Sequence, residues 1–166
     1  MNRLSLASLL LLAVGCSRSP GPVPPEKGIE PKELSLPSLA GKTVRLSDFR
    51  GKVVLLDFWA TWCPPCIAEV PDLIELHKSF SSDGFTVLGV AIEEASVKDV
   101  EEFVREYKVP YPILYAEQRP KGYRIRALPT AYLLDRRGRL RQRYLGMKDP
   151  LDLRRDIREL LEEKEG

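Results

Sequence analysis

Continuous apolar runs and amphipathic stretches alternate along most of the chain. Residues 52–60 and 85–92 are almost entirely apolar, which is typical of strands that are covered on both faces. Apolar residues recur at helical spacing over 64–80 and 96–107, and Pro71 is expected to interrupt and kink the first of these helices. Strands that alternate with helices predict an α/β fold.

Four shorter segments complete this pattern and form two pairs, each separated by a polar turn that contains glycine. The pairs are 34–36 with 43–46, and 130–135 with 140–145. Both pairs are predicted to be hairpins, so the sheet should have an antiparallel end. Asp149 and Pro150 then provide the cap and first-turn proline of a last amphipathic helix. We predict one α/β domain over 34–166.

The N-terminal part has the composition of an export signal followed by a tether. Arg3 precedes an apolar run over 4–14, which has the length of a signal-peptide core and is too short to span a bilayer. Small residues lead into Cys16, which resembles the lipobox of bacterial lipoproteins, where the cysteine receives lipid. We predict a signal peptide over 1–15 and a lipid-anchored, Pro-rich tether over 16–33. Ordinary signal cleavage with a leftover thiol at Cys16, and a disordered leader without a spacing role, are the alternatives.

Composition narrows the class of protein further. The 166 residues include 26 Lys and Arg against 24 Asp and Glu, so the net charge of +2 gives no reason to expect nucleic acid as a partner. The length fits one domain with short appendages. Three cysteines are too few for a disulfide framework, so each has to be interpreted singly.

Cys63 and Cys66 flank two prolines at the point where the strand over 52–60 leads into a helix. A cysteine at the start of a helix faces unpaired backbone N–H groups and the positive end of the helix dipole, which favour the thiolate. Cys66 lies one turn further on, close enough to resolve a mixed disulfide by bonding to Cys63. We predict a redox-active pair in which Cys63 is the nucleophile and Cys66 the resolving thiol, with no metal and no cofactor.

Three other interpretations of this pair remain. A zinc site would need ligands from Cys16 or His77, but His77 lies about 16 Å further along the helix at 1.5 Å per residue. An inert disulfide closing so small a loop would stabilise the fold very little. Two buried core thiols are a poor match to two prolines at the start of a helix.

The block 51–66, which ends in Trp-Cys-Pro-Pro-Cys, resembles thioredoxin-fold proteins and is most similar to the membrane-tethered extracytoplasmic reductases of the TlpA/ResA type. Residues 36–48 resemble their N-terminal hairpin, and 128–130 resemble their cis-proline loop. The resemblance implies a thioredoxin-like fold: a mixed sheet flanked by helices, with an added N-terminal hairpin. It also implies a cis bond before Pro129, and a groove in which the backbone of Leu128 pairs with an extended substrate segment beside Trp62.

Two acidic residues are candidates for proton transfer. Asp57 is the one charge in the apolar run, and an unpaired carboxylate there is costly or takes up a proton, so it could accept the proton of Cys66. Glu69 lies three residues after Cys66 on the same helix face. The resemblance implies such roles, since thioredoxins have an acid at the first position and ResA-like reductases a glutamate at the second. A solvent-reaching Asp57 and an exposed Glu69 are the alternatives.

For the remaining aromatic and basic residues the sequence predicts a location in the fold. Trp59 should lie in the core and His77 should face solvent, while Trp62 could either border the groove or pack inside. Residues 119–148 contain ten basic residues and one acid, with Arg139, Arg141 and Arg143 on one face of a strand. We interpret this segment as a solvated face that discourages edge pairing, with an acidic partner or anionic lipid as the alternative.

The sequence therefore predicts an extracytoplasmic thiol-disulfide oxidoreductase, membrane-anchored through lipidated Cys16 on the periplasmic side. It would reduce disulfides of client proteins, with apocytochrome c as the client that the resemblance suggests and a membrane thiol-transfer protein as its reductant. Two alternatives are a thiol peroxidase of peroxiredoxin-like type and a non-enzymatic Cu(I)-handling protein. Pro64 follows Cys63 instead of preceding it, which argues against the first, and one His with two Met argues against the second.

Overall fold

The computed structural model describes residues 31–92 and 96–163. Two short strands, β1 and β2, pair antiparallel as the predicted N-terminal hairpin and precede a five-stranded sheet and three helices. The strands are β1 (Ser35–Pro37), β2 (Thr43–Arg45), β3 (Val53–Trp59), β4 (Phe85–Ile92), β5 (Ile113–Ala116), β6 (Thr130–Leu134) and β7 (Leu140–Leu145). The helices are α1 (Pro64–Phe80), α2 (Val97–Tyr107) and α3 (Pro150–Glu162).

The main sheet is mixed, with the strand order β5-β4-β3-β6-β7. β3 is central and parallel to β4, and β4 is parallel to β5, while β6 and β7 form the antiparallel end. This arrangement confirms the predicted fold class. Every residue of β3 is buried, as its sequence, apolar except for Asp57, predicts for a central strand.

The two faces of β3 contact different parts of the chain, because successive side chains of a strand point to opposite faces. Val53 and Leu55 belong to a core cluster that includes apolar residues of all three helices. Val54, Leu56 and Phe58 belong to a second cluster with the N-terminal hairpin and the segment before β6. By this alternation, the side chain of Asp57 lies on the helix-covered face.

The structure differs from the sequence-based expectation in two elements. β5 was not predicted, because its four residues, Ile113–Ala116, form a run too short to distinguish from a loop until it pairs with β4. Pro71 was expected to interrupt the first helix, but α1 runs continuously from Pro64 to Phe80.

In the described ranges, no helix is long and apolar enough to cross a membrane. The predicted signal peptide, Cys16 and most of the tether lie outside the described residues.

Candidate active site

The Cys63–Cys66 pair lies where the central strand β3 leads into α1. Cys63 occupies the N-cap position with extended backbone, and Pro64 and Pro65 are the first two residues of the helix. Proline is tolerated in the first turn because the N–H that it lacks would have no partner inside the helix. The two cysteines form a disulfide with their Cα atoms 5.2 Å apart. The structure thus brings together the two thiols that the spacing predicted.

The disulfide is buried beside an exposed aromatic ring. Cys63 is 4% and Cys66 1% exposed, whereas the neighbouring Trp62 is 64% exposed. An exposed tryptophan is uncommon, and Trp62 directly precedes Cys63 in the sequence. Trp62 therefore does not pack in the core, which was the alternative to its predicted position at the border of a groove. Trp59 is buried in the core against Phe103, as expected.

The loop before β6 ends beside the same site. The Leu128–Pro129 peptide bond is cis, as the resemblance implied. Phe58 is paired with Thr130 across β3 and β6, so Pro129 lies at the end of β3 from which the chain continues to Cys63. Leu128 packs against the core cluster that contains both cysteines. The cis-proline loop, the disulfide and the end of β3 thus lie in one region.

A buried charge cluster occupies the helix-covered side of β3. The ammonium Nζ of Lys148 lies 2.9 Å from Oδ1 of Asp57 and 2.6 Å from Oε1 of Glu69. All three side chains are at most 5% exposed. The backbone N–H of Lys148 also donates to Oε2 of Glu69 at 3.5 Å. Strand β3, helix α1 and the segment before α3 each contribute one member.

The burial of this cluster changes the protonation equilibria of two members. Burial raises the pKa of Glu69 to about 7, opposed by the charge and hydrogen bonds of Lys148 and reinforced by the charge of Asp57. Burial alone would lower the pKa of Lys148, but the two carboxyl groups raise it above its ordinary value. A carboxyl group with this pKa can gain or lose a proton near neutral pH, and Glu69 lies one helical turn from Cys66.

Lys148 is the member of this cluster that the sequence analysis missed. Asp57 was expected to be unpaired or to reach solvent, and Glu69 to be exposed as the alternative; both are instead buried and share the Lys148 ammonium. Lys148 was also counted among a solvated basic face, which is wrong for this residue. The available signal was electrostatic: an acid in a buried strand, such as Asp57, either takes up a proton or has a cation as its partner.

The arginines at the end of the basic segment form a charged edge of the sheet, but Arg139 precedes β7 and does not share the strand face predicted for it. β7 is an edge strand of the sheet, and its arginines are partly exposed. Arg139 Nε contacts Asp135 Oδ2 at 2.8 Å, and Arg141 forms ion pairs with Glu163 and Asp135. These contacts fit the prediction of a charged edge that discourages strand pairing.

His77 differs from its prediction. It is half-buried, and its Nδ1 accepts a hydrogen bond from the backbone N–H of Val87 at 3.4 Å, while its ring contacts Tyr111. Burial and the nearby charge of Lys52 lower the pKa of His77. No group of three or more His, Cys, Asp or Glu residues that could hold a metal ion occurs in the described part of the chain.

Comparison with known proteins places this site in a family. The model of the AhpC/TSA family matches residues 28–143. The chain belongs to the AhpC/TSA family. Among curated relatives of this AhpC/TSA-family protein, the thiol-disulfide oxidoreductase ResA of Geobacillus kaustophilus is 35% identical over 127 residues, covering 75% of this chain and 72% of the relative. The thioredoxin-like protein YneN of Bacillus subtilis is 35% identical over 137 residues, covering 77% and 80%.

Solved structures show the same similarity. The thioredoxin domain of a thiol-disulfide oxidoreductase from Bacteroides vulgatus aligns with a TM-score of 0.72 at 27% identity, covering 81% of this chain and 96% of that one. A DsbF homologue from Corynebacterium diphtheriae aligns with a TM-score of 0.77 at 27% identity, covering 86% and 97%. With its Cys63–Cys66 pair, this AhpC/TSA-family protein is a thiol-disulfide oxidoreductase of thioredoxin fold, which confirms the predicted enzyme class.

Proposed function

We propose that this oxidoreductase acts outside the cytoplasm as a reductase of protein disulfides, anchored to the membrane on the periplasmic side through a lipid on Cys16. The observation that carries the proposal is the position of the Cys63–Cys66 pair at the start of α1, next to the cis-proline loop and the exposed Trp62. The exposed ring of Trp62, directly before Cys63, supports this side as the one from which a client disulfide approaches.

The reaction begins with the reduced dithiol. The Cys63 thiolate attacks one sulfur of the client disulfide, which forms a mixed disulfide and releases one client thiolate. Cys66 then loses its proton and attacks Cys63 Sγ, which forms the Cys63–Cys66 disulfide and releases the second client thiolate. The two electrons pass to the client, and its two thiolates take up protons from solvent. Glu69, one turn from Cys66, accepts the proton that Cys66 loses.

The two prolines between the cysteines favour the direction of reduction. Pro64 and Pro65 have no N–H, so a thiolate at Cys63 loses two possible backbone donors. A less stabilised thiolate makes the reduced form less favourable, which makes the dithiol a better reductant. The pair then has to be reduced again, and we propose a membrane thiol-transfer protein as the source of electrons.

The client is held by the groove between Trp62 and the cis-proline loop. The backbone of Leu128 would pair with an extended client segment, while the ring of Trp62 covers its apolar side chains. The similarity to TlpA/ResA-type reductases suggests apocytochrome c as the client, which would place the protein in cytochrome c maturation.

Trapping of the mixed disulfide tests this function. In Cys66→Ala the resolving thiol is missing, so client proteins should accumulate in disulfide linkage to Cys63 and be released by reductant. Cys63→Ala is the matched control and should trap none. An absence of disulfide-linked clients in Cys66→Ala would contradict the reductase proposal. Partition of the full chain into a detergent phase, lost in Cys16→Ala, tests the anchor separately.

A further inference from the structure

Lys148 occupies an unusual position for a lysine, because its charged end is enclosed by the fold. Its side chain is 2% exposed, and buried lysines occur almost only where they are paired. The turn that precedes it is fixed by Gly146, which has a φ of 76° and whose N–H donates to the Pro129 carbonyl at 2.9 Å. Asp149 follows it as the N-cap of α3. Lys148 is therefore held at both ends, between the cis-proline loop and a helix start.

The charges of the cluster determine how many protons it exchanges. With both carboxylates ionised, Lys148, Asp57 and Glu69 together carry one net negative charge, and one added proton makes the cluster neutral. Without the ammonium, two ionised carboxylates would carry two negative charges in a buried site, and one of them would hold a proton well above neutral pH.

We propose that Lys148 is a positioning residue of the redox centre: its ammonium holds the carboxyl group of Asp57 against that of Glu69, which lies one helical turn from Cys66, so that the cluster exchanges a single proton. This inference rests on the proposed function, because it assigns the proton of the resolving thiol to this cluster. The two hydrogen bonds of Nζ fix which oxygens face the ammonium, namely Oδ1 of Asp57 and Oε1 of Glu69.

The other titratable groups around the cluster do not compete for this proton. From the segment before β5, the buried Tyr111 is close enough for both carboxyl charges to act on it. Burial, with these charges, raises the pKa of Tyr111 above its ordinary range, so its phenol stays protonated. Cys63 and Cys66, at the start of α1, form the disulfide, in which neither carries a proton.

In the resolving step, the cluster starts with its single negative charge. The proton of the Cys66 thiol moves to Glu69 and leaves the cluster neutral, while the Cys66 thiolate attacks Cys63 and displaces the client thiolate. When the pair is reduced again, the proton returns to Cys66. Lys148 keeps its own proton throughout and touches neither sulfur nor client in this account, which is why it is a positioning residue.

Side-chain carboxyl NMR of the oxidised full chain tests this inference without any client. In Lys148→Met, the titration midpoint of Glu69 should rise by at least about one pH unit, since the charge that lowers it is gone. In the double variant Lys148→Met, Asp57→Asn, the negative charge of Asp57 that raises the Glu69 midpoint is also gone. The midpoint should therefore lie below that of Lys148→Met but above that of the wild type. The double variant keeps one carboxyl that can be buried neutral, so it tests the inference even where the single variant does not fold.

Arg154→Met is the matched control. Arg154, a residue of α3, likewise pairs with a glutamate of α1, since its Nη2 lies 2.5 Å from Glu75 Oε1, but this pair is at the surface. This variant should leave the Glu69 midpoint unchanged. The pH dependence of the reduction potential gives a second readout: an inflection near the Glu69 midpoint should move to higher pH in Lys148→Met and stay in place in Arg154→Met.

The two proposals fail in different ways. A Glu69 midpoint that is the same in the wild type and in both Lys148 variants would overturn the role of Lys148 and leave it a structural cation that affects only the free energy of unfolding. Trapping of clients by Cys66→Ala would still support the reductase function in that case. Conversely, if the NMR midpoints shift as expected but Cys66→Ala traps no client, the role of Lys148 in the cluster would stand and the reductase function would be contradicted.

Discussion

Replacement of Glu69 by glutamine should change how the free energy of unfolding depends on pH. In the folded chain, burial raises the pKa of Glu69 to about 7, compared with 4.5 for an ordinary glutamate. Between these two pH values the folded chain holds a proton that the unfolded chain has lost. This group therefore stabilises the fold at low pH, and its contribution falls as the pH rises from 4.5 to about 7.

The size of the effect follows from the shift. Two and a half pKa units at about 1.4 kcal/mol per unit correspond to roughly 3 kcal/mol of unfolding free energy lost over this range. Glu69→Gln cannot ionise, so it should gain about 3 kcal/mol relative to the wild type between pH 4.5 and pH 8. Groups outside the buried cluster titrate in the same way in both proteins and cancel in the difference.

Urea unfolding of the oxidised proteins, followed by circular dichroism at intervals of half a pH unit, measures this difference. The linear extrapolation gives the free energy of unfolding at each pH, and equal slopes in both proteins would show that the comparison is valid. A difference between the two proteins that stays constant from pH 4.5 to pH 8 would refute the assignment of the exchangeable proton to Glu69.

Three further outcomes follow from the structure. Trp62→Ala should weaken the reduction of client proteins, measured as KM, while unfolding changes by less than about 0.5 kcal/mol because the ring is 64% exposed. Asp149→Ala should cost about 1 kcal/mol in urea unfolding, since the Asp149 carboxylate accepts from the N–H groups of Leu151 and Asp152 at the start of α3. Because the pKa of His77 is lowered in the folded chain, the unfolded chain protonates this residue at a higher pH, and the free energy of unfolding should drop as the pH falls through about 6.5. His77→Leu should reduce that drop, and an unchanged pH profile in this variant would contradict the prediction.

Most of the fold could be predicted from the sequence, because the strongest elements are local patterns. The run of β3, apolar except for Asp57, indicates a buried strand directly, and the helical spacing of apolar residues in α2 indicates a helix. β5 could not be predicted, since four residues carry too little periodicity and the strand exists through its pairing with β4. The continuity of α1 through Pro71 could not be predicted either, because an internal proline favours a break, whereas Val70 and Leu73 on either side of it are buried in the core.

The candidate site was predictable to the extent that its residues are neighbours in sequence. Cys63, Cys66 and Glu69 follow one another at helical spacing, so their relation is readable from the chain alone. Lys148 is 79 residues from Glu69 and belongs to a segment with many cations. Only the tertiary fold shows which of these cations enters the core, because burial of a charge depends on partners from three elements.

The central claim is that Cys63 is a nucleophile activated by its position at the start of α1, with Cys66 as its resolving partner. Site-resolved alkylation of the fully reduced chain across pH, read by mass spectrometry beside free cysteine, tests it most directly. We expect Cys63 to react first, with a half-maximal rate at a lower pH than free cysteine, and Cys66 to be protected. Equal rates at both thiols with the pH profile of free cysteine would contradict the account.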